Sequence, residues 1–514
     1  MEQLLHNGLL IPKYEAKGFE ISINGEKRKL TPTQEEMAVA WVKKLSTEYI
    51  KDRIFRKNFF HDFCNALDIA PSTPLNAFQF TEIQTYLNTE KIYKLSLTKG
   101  EKKLLAKTRK EKRELCKEKY GYAVVDNTRV EVANFTAEPS SIFMGRGQHP
   151  LRGKWKKGPL ANDITLNLSP ESPRPQGNWN HYVWQPDSMW IAKWRDALQG
   201  KTKYVWLSDS SFLKQEREKE KFDDAVLLKK HIRKVRAHIK ANLVTADTLR
   251  RKIATVCYMI DALNFRVGDE KDQDEADTVG ATTLRPEHIS YGLNDTVIFD
   301  FLGKDSIHWH IEAQLSTQVI QNLKEFSSTA NSAIFKGVRS DNVSSFLDEV
   351  MLGLTAKVFR TYHATQIVAK SLRTAKITPK APEFVKKHIA KMANLEAAKA
   401  CNHKKKISKN WQASLLKMKT RLNKLRTQKR QIRDRKTRKK QTKIRRLQKI
   451  DERINKLRLQ IKLKEATQEY NLNTSLKSYI DPRTYYHWAE SIEYDWHQIY
   501  SKSLQRKFRW VETT

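Results

Sequence analysis

The 514-residue chain has only four cysteines, Cys64, Cys116, Cys257 and Cys401, and they are scattered singly. With no C-x-x-C pair, neither a zinc site nor a disulfide framework is expected, and a reducing compartment fits. No run of about 20 apolar residues occurs, so no membrane span is expected. The opening MEQLLHNGLLIPKYE lacks a basic stretch followed by a long apolar one, which argues against a secretory signal. Acidic side chains are also short in number: 58 against 96 lysines and arginines, a net charge of +38. A surplus of that size calls for a polyanion, most readily nucleic acid, whose phosphates release condensed counterions when neutralised. An anionic membrane surface is the weaker competitor.

What is present suffices for substantial cores: 39% apolar residues and 12 tryptophans. The length favours two or three domains. Residues 1–211 read as mixed α and β, with helical stretches carrying Trp41 to Phe63 and Thr98 to Lys119. Short β-like runs follow at Ile164 to Leu168 and Lys203 to Leu207, and proline and glycine mark loops from Gly145 to Gly177. From 212 to 406 helices dominate. Thr248 to Asn264 predicts a buried helix ending just before Arg266, and Phe346 to Ser371 another, with Lys357 and Arg360 on one face. Val297 to Phe301 and Ile307 to Ile311 predict two strands whose turn carries Gly303, Lys304 and Asp305.

Residues 404–464 differ sharply, holding 26 lysines and arginines against three acids. Apolar residues recur at Leu415, Met418, Leu422, Leu425 and Ile432, then at Leu447, Ile450, Ile454, Leu457 and Ile461. Alternating steps of three and four describe a narrow seam, and Arg433 to Lys440 between them has nothing apolar. The pattern predicts a protruding antiparallel coiled-coil hairpin. The last segment, 466–514, returns to ordinary composition and should pack back on the main body. The resulting division is 1–211, 212–406, 407–465 and 466–514.

Five residues suit the breaking of a phosphodiester: Arg266, Lys304, Arg360, His403 and Tyr479. A tyrosine hydroxyl, with its ordinary pKa near 10, attacks more easily when cations help it lose its proton. Guanidiniums are the best fixed donors for charge growing on non-bridging oxygens. A lysine can supply the departing oxygen with a proton. Such a set needs no metal and no ATP. Taken singly each residue is ordinary; the joint pattern is not.

The segments around them are specific: IFRKNFF (Ile54 to Phe60), GRGQHP (Gly145 to Pro150), EADTVG (Glu275 to Gly280), LRPEHI (Leu284 to Ile289), FDFLGKDSI (Phe299 to Ile307), LTAKVFRTY (Leu354 to Tyr362), CNH (Cys401 to His403) and YIDPR (Tyr479 to Arg483). In this order they resemble the eukaryotic-type DNA topoisomerase I family (type IB) over nearly the whole chain, apart from a charged N-terminal extension. The resemblance implies an α+β multidomain clamp on double-stranded DNA. Its parts would be a mixed α/β N-terminal lobe, a mainly helical catalytic domain related to tyrosine recombinases, the coiled-coil linker, and a C-terminal domain bearing the nucleophile. It implies Tyr479 as that nucleophile, Arg266, Arg360 and His403 on the scissile phosphate, and Lys304 as the acid for the 5′ oxygen. Arg146, Asp305, Lys203 and Lys357 would meet DNA. A monomer acting in the nucleus follows, or at a viral replication site if the gene is viral. Ser478 stands where the family usually has asparagine, so camptothecin sensitivity does not carry over.

Gly200-Lys201-Thr202 imitates the end of a phosphate-binding loop, but Arg195 occupies the place of its first glycine. The acidic stretch from Asp269 to Asp277 imitates a metal site and reads as a solvated loop. A tyrosine recombinase and a non-catalytic architectural protein remain the alternatives. The first would carry histidine where Lys357 stands; the second leaves the tyrosine, lysine and arginine motifs unexplained.

Overall fold

A computed structural model describes the chain apart from residues 146–148, 269–278, 305–306, 331, 436–439 and 514. Arg146, Asp305 and the acidic stretch Asp269 to Asp277 therefore lie outside the described residues. The chain is mixed α/β and multidomain, with one compact unit over Met1–Gln215 and a second beginning at Glu216.

The first unit has two cores. One gathers around Trp41, which ends the helix Pro32–Val42 and stacks on Phe59 of the helix Arg53–Leu67 at 4.8 Å between ring centroids. The helical content expected from Trp41 to Phe63 is thus split. A turn at Glu48–Lys51 separates the two helices, and Asp52 caps the second by accepting from the amides of Ile54 and Phe55. The other core lies under a four-stranded sheet ordered His181–Val183, Ile164–Asn167, Trp190–Arg195, Thr202–Trp206. Ile164–Asn167 is paired on both edges and buried throughout, which its unbroken burial pattern requires. Gly200 (φ +67) turns the last two strands into a hairpin, so the Gly-Lys-Thr run there opens no helix. The helix Lys99–Tyr120 has no buried residue; a Thr98–Glu101 capping box starts it.

The long helix Phe212–Asn242, in the second unit from Glu216 onward, buries Phe222, Ala225, Leu228, Ile232, Val235 and Ile239, a stripe at helical spacing. Most of that stripe joins the helix Thr248–Leu263 and a three-stranded antiparallel sheet, Ile289–Tyr291, Thr296–Gly303 and Ile307–Gln314, in one core. The single helix expected from Phe346 to Ser371 is two, Ser340–Asp348 and Ala356–Thr374. Between them Gly353 takes φ +77 and donates its amide to Asp348 Oδ1 at 2.7 Å, ending the first helix, while Met351 and Leu354 are buried.

A further core joins Ala356–Thr374 and Glu383–Ala400 to the C-terminal helices, including Pro482–Ser491. The helices Trp411–Asp434 and Lys440–Ala466 pack along Leu422, Leu425, Ile450, Ile454, Leu457 and Ile461. The ion pairs Lys419–Glu465 at 2.7 Å and Lys429–Asp451 at 2.5 Å cross between them in antiparallel order. At the root of this pair the backbone is stitched: Lys405 N–H donates to Glu469 O, and Asn471 N–H to His403 O, both at 2.7 Å. Among the described residues no helix is long and apolar enough to cross a membrane.

Candidate active site

Four stretches of the second unit meet at one place. The helix Thr248–Leu263 stops at Asn264, whose left-handed φ of 58° ends it as a C-terminal cap. Phe265 is then held edge-on by Phe299, Phe301 and Trp309, at 5.2, 5.4 and 5.4 Å between centroids. The backbone of Arg266 and Val267 is tied to the amides of Ala281 and Thr282, each bond 2.8 Å. Gly268 (φ +84) approaches Gly280 so closely that a β-carbon on it would stand 2.8 Å from the Gly280 α-carbon. Arg266 is therefore carried on a short, immobilised loop.

Arg360 lies on Ala356–Thr374 between buried neighbours and is itself only 2% exposed. Its Nη1 donates to Asn264 O at 2.7 Å and its Nη2 to Cys401 O at 2.8 Å. Both acceptors are main-chain carbonyls at the ends of neighbouring helices, where carbonyl groups lack intrahelical partners. The helix Glu383–Ala400 is closed by Asn402 (φ 50) and by the His403 amide bonding back to Ala398 O, which delivers His403 to the same spot. Tyr479 follows the short helix Leu472–Ser478, and Asp481 and Pro482 start the next one. Thr365 Oγ1 bridges that joint, donating to Tyr479 O at 3.3 Å and accepting from the Asp481 amide at 3.0 Å.

The Tyr479 hydroxyl accepts from Arg266 Nη1 at 3.4 Å. The Arg360 guanidinium sits 5.1 Å from the Tyr479 ring centroid, and the His403 ring stacks on Tyr479 at 5.2 Å with a 29° tilt. His403 Nε2 faces Arg360 Nη2 at 3.4 Å and its Nδ1 faces Ser475 Oγ at 2.7 Å. Burial, reinforced by Arg360 and Arg266, pushes the His403 pKa down to about 3, so the ring is neutral near pH 7. Burial also lowers the pKa of Arg360, with the Arg266 charge acting in the same direction. Among the described residues no carboxylate pairs with either arginine, and Arg360 Nε has no hydrogen-bond partner. Two guanidiniums that no carboxylate pairs among the described residues, beside a phenol, form a receptor for an anion.

The family described as the catalytic core of eukaryotic DNA topoisomerase I matches residues 210–436. Its DNA-binding fragment matches 1–207, and the C-terminal topoisomerase domain matches 451–514. The chain is 33% identical to DNA topoisomerase 1 beta of Arabidopsis thaliana, the match covering 99% of the chain and 58% of that protein. It is 31% identical to human DNA topoisomerase 1, covering 99% of the chain and 70% of the human protein. The chain belongs to the eukaryotic DNA topoisomerase I family. It spans just over half the length of the plant relative and of the Drosophila melanogaster one, 58% and 54%.

Of the topoisomerase I residues expected from the sequence, Arg266, Arg360, His403 and Tyr479 are brought together. Lys304 is exposed at the tip of the hairpin formed by Thr296–Gly303 and Ile307–Gln314, and no hydrogen bond joins it to the four among the described residues. That hairpin is nonetheless tied to the His403 loop, because Asn402 Nδ2 donates to His308 O at 3.2 Å. Lys357 is exposed one turn before Arg360. Lys203 belongs to the first unit, half-buried and 3.9 Å from Asp196. Sequence reading missed Ser475, Thr365 and the carbonyls of Asn264 and Cys401. Ser475 alone carried a signal, since it precedes Tyr479 by one helical turn.

Proposed function

We propose that this chain is a type IB DNA topoisomerase that relaxes supercoiled duplex DNA by transient cleavage of one strand. In this reading Tyr479 Oη attacks the scissile phosphorus as its proton passes to water, forming a 3′-phosphotyrosyl bond while the phosphorus–O5′ bond breaks. Arg266 and Arg360 receive the non-bridging oxygens, with His403 beside them, and Lys304 protonates the departing 5′ oxygen. The covalent bond conserves the phosphodiester's energy, so the freed 5′ hydroxyl reverses the step after rotation without ATP. The observation carrying this reading is the Tyr479 hydroxyl 3.4 Å from Arg266 Nη1, in a cationic nest holding Arg360 and His403.

The finer architecture belongs to the same proposal. Residues 1–211 form the DNA-binding lobe of a clamp, 212–406 a catalytic core related to tyrosine recombinases, and 466–514 the domain carrying the nucleophile. Residues 407–465 are a coiled-coil linker brushing the downstream duplex. Arg146, Lys203, Lys357 and Asp305 contact DNA, Lys304 reaches the duplex from its hairpin tip, and the protein acts as a monomer in the nucleus. Supercoiled plasmid incubated with the protein and EDTA, without ATP, tests the activity. Relaxation by the native chain and none by Tyr479→Phe is the expected pair of results. Retardation of the plasmid without relaxation would leave only an architectural role.

A further inference from the structure

The buried hydroxyl of Ser475 is not among the groups assigned to the reaction, yet it holds the nitrogen of His403 that faces away from Arg360. Ser475 is completely buried on the helix Leu472–Ser478, and its Oγ is 2.7 Å from His403 Nδ1. The other nitrogen, Nε2, is 3.4 Å from Arg360 Nη2. A guanidinium can only donate, so Nε2 is the lone-pair nitrogen here and Nδ1 carries the proton, donating to Ser475 Oγ. That tautomer cannot give a hydrogen bond to an anion entering beside Arg360. An imidazole serving a phosphate oxygen needs its proton on Nε2, which leaves Nδ1 as an acceptor.

A serine hydroxyl accepts or donates by rotating its O–H bond, and a carbonyl or carboxylate in the same place could not do both. We propose that Ser475 is a positioning residue for His403, whose hydroxyl supports the Nδ1–H tautomer in the free protein and the Nε2–H tautomer when a phosphate occupies the nest. The ring stays neutral throughout: Nδ1 gives one proton to water, Nε2 takes one from water, and the Ser475 proton turns towards Nδ1 without being transferred. This inference rests on the proposed cleavage reaction and adds the group that tunes one of its donors.

Threonine and valine at position 475 have the same shape and differ by the hydroxyl, so any cost of the extra methyl group is common to both. Single-turnover cleavage of a duplex oligonucleotide, trapped as the covalent protein–DNA product, is the readout. Ser475→Val is expected to cleave roughly 10-fold more slowly than Ser475→Thr, the loss of one partner by a buried polar group, at DNA affinities within about two-fold of each other. Equal rates for the two variants overturn the proposal. Nitrogen-15 spectra of labelled histidine give an independent arm, using Tyr479→Phe to keep the stacked ring while preventing attack. His403 is expected to carry its proton on Nδ1 in the free protein and on Nε2 with the duplex bound; Nδ1–H in both states overturns the proposal. If the native chain forms no covalent product at all, the cleavage reading fails instead, and the two failures are distinguishable.

Discussion

The nest around Tyr479 and the helix pair Trp411–Asp434 and Lys440–Ala466 both concentrate positive charge, and they do so by opposite means. In the nest, charge is withdrawn from solvent, scarce and held: Arg360 is buried and donates to two carbonyls of other segments, and its neighbours Arg266 and Tyr479 are 213 positions apart. In the helix pair, charge is abundant and wet, carried on solvent-facing positions over a thin apolar seam. A few cations with fixed geometry can select one atom of a ligand; many solvated ones can only attract a polyanion along its length. Chemistry should therefore depend on the first region, and affinity with its salt dependence on the second.

The sharpest way to break that division is Tyr479→Phe. It should abolish the covalent complex, seen on denaturing gels, while DNA affinity stays within about two-fold. Retained cleavage would remove the nest from the chemistry altogether. Next, Lys304→Ala should slow cleavage by about 10³-fold, the scale of a lost general acid. A substrate with a sulfur leaving group at the 5′ position should be largely spared; equal slowing of both substrates would deny Lys304 that role. Arg360→Lys keeps a charge but loses the planar fork that spans Asn264 O and Cys401 O. It should cost about 10²-fold in cleavage rate at unchanged salt dependence of binding. Removal of residues 409–464 should do the converse, lowering affinity and flattening the slope of log K against log salt with cleavage preserved. An unaltered slope would mean that the arm never meets DNA.

The smallest expected effect distinguishes the nest from ordinary burial. His403 and, in the first unit, His6 have pKa values pushed down to about 3 and about 4 by burial. Both are lower than the unfolded value near 6.5, so the unfolded chain binds more protons than the folded one. Their contribution to stability is complete above pH 6.5 and is lost progressively as pH falls towards the folded values, by at most about 1.4 kcal/mol per pH unit for each group. Melting temperatures measured between pH 7 and pH 5 should fall. His403→Gln should blunt the fall in the second unit's transition only.

The two regions also differ in how much of them could be read beforehand. The helix pair depends on steps of three and four along one stretch, and its apolar residues Leu415, Met418, Leu422 and Leu425 recur in the seam. The site residues were legible as motifs, because Phe265-Arg266, Phe359-Arg360 and Asn402-His403 each sit in a distinctive local string. What surrounds them was not. The carbonyls of Asn264 and Cys401 are backbone groups with no sequence signature, and Thr365 matters only because the chain folds it against the Tyr479–Asp481 joint. Local turn chemistry explains the remaining misses. Gly353 parts a helix that periodicity ran together, and the capping carboxylate of Asp52 restarts another after Glu48–Lys51.

The backbone stitch between residues 403–405 and 469–471 has a consequence for how this chain can vary. Because it closes the excursion at its foot, the part of the helix pair that lies beyond the packing of Lys440–Ala466 on Glu383–Ala400 is decoupled from the geometry at either end. There, turns can be added to or taken from both helices together, like sections of a telescoping mast, and the spacing of His403 from Tyr479 does not register the change.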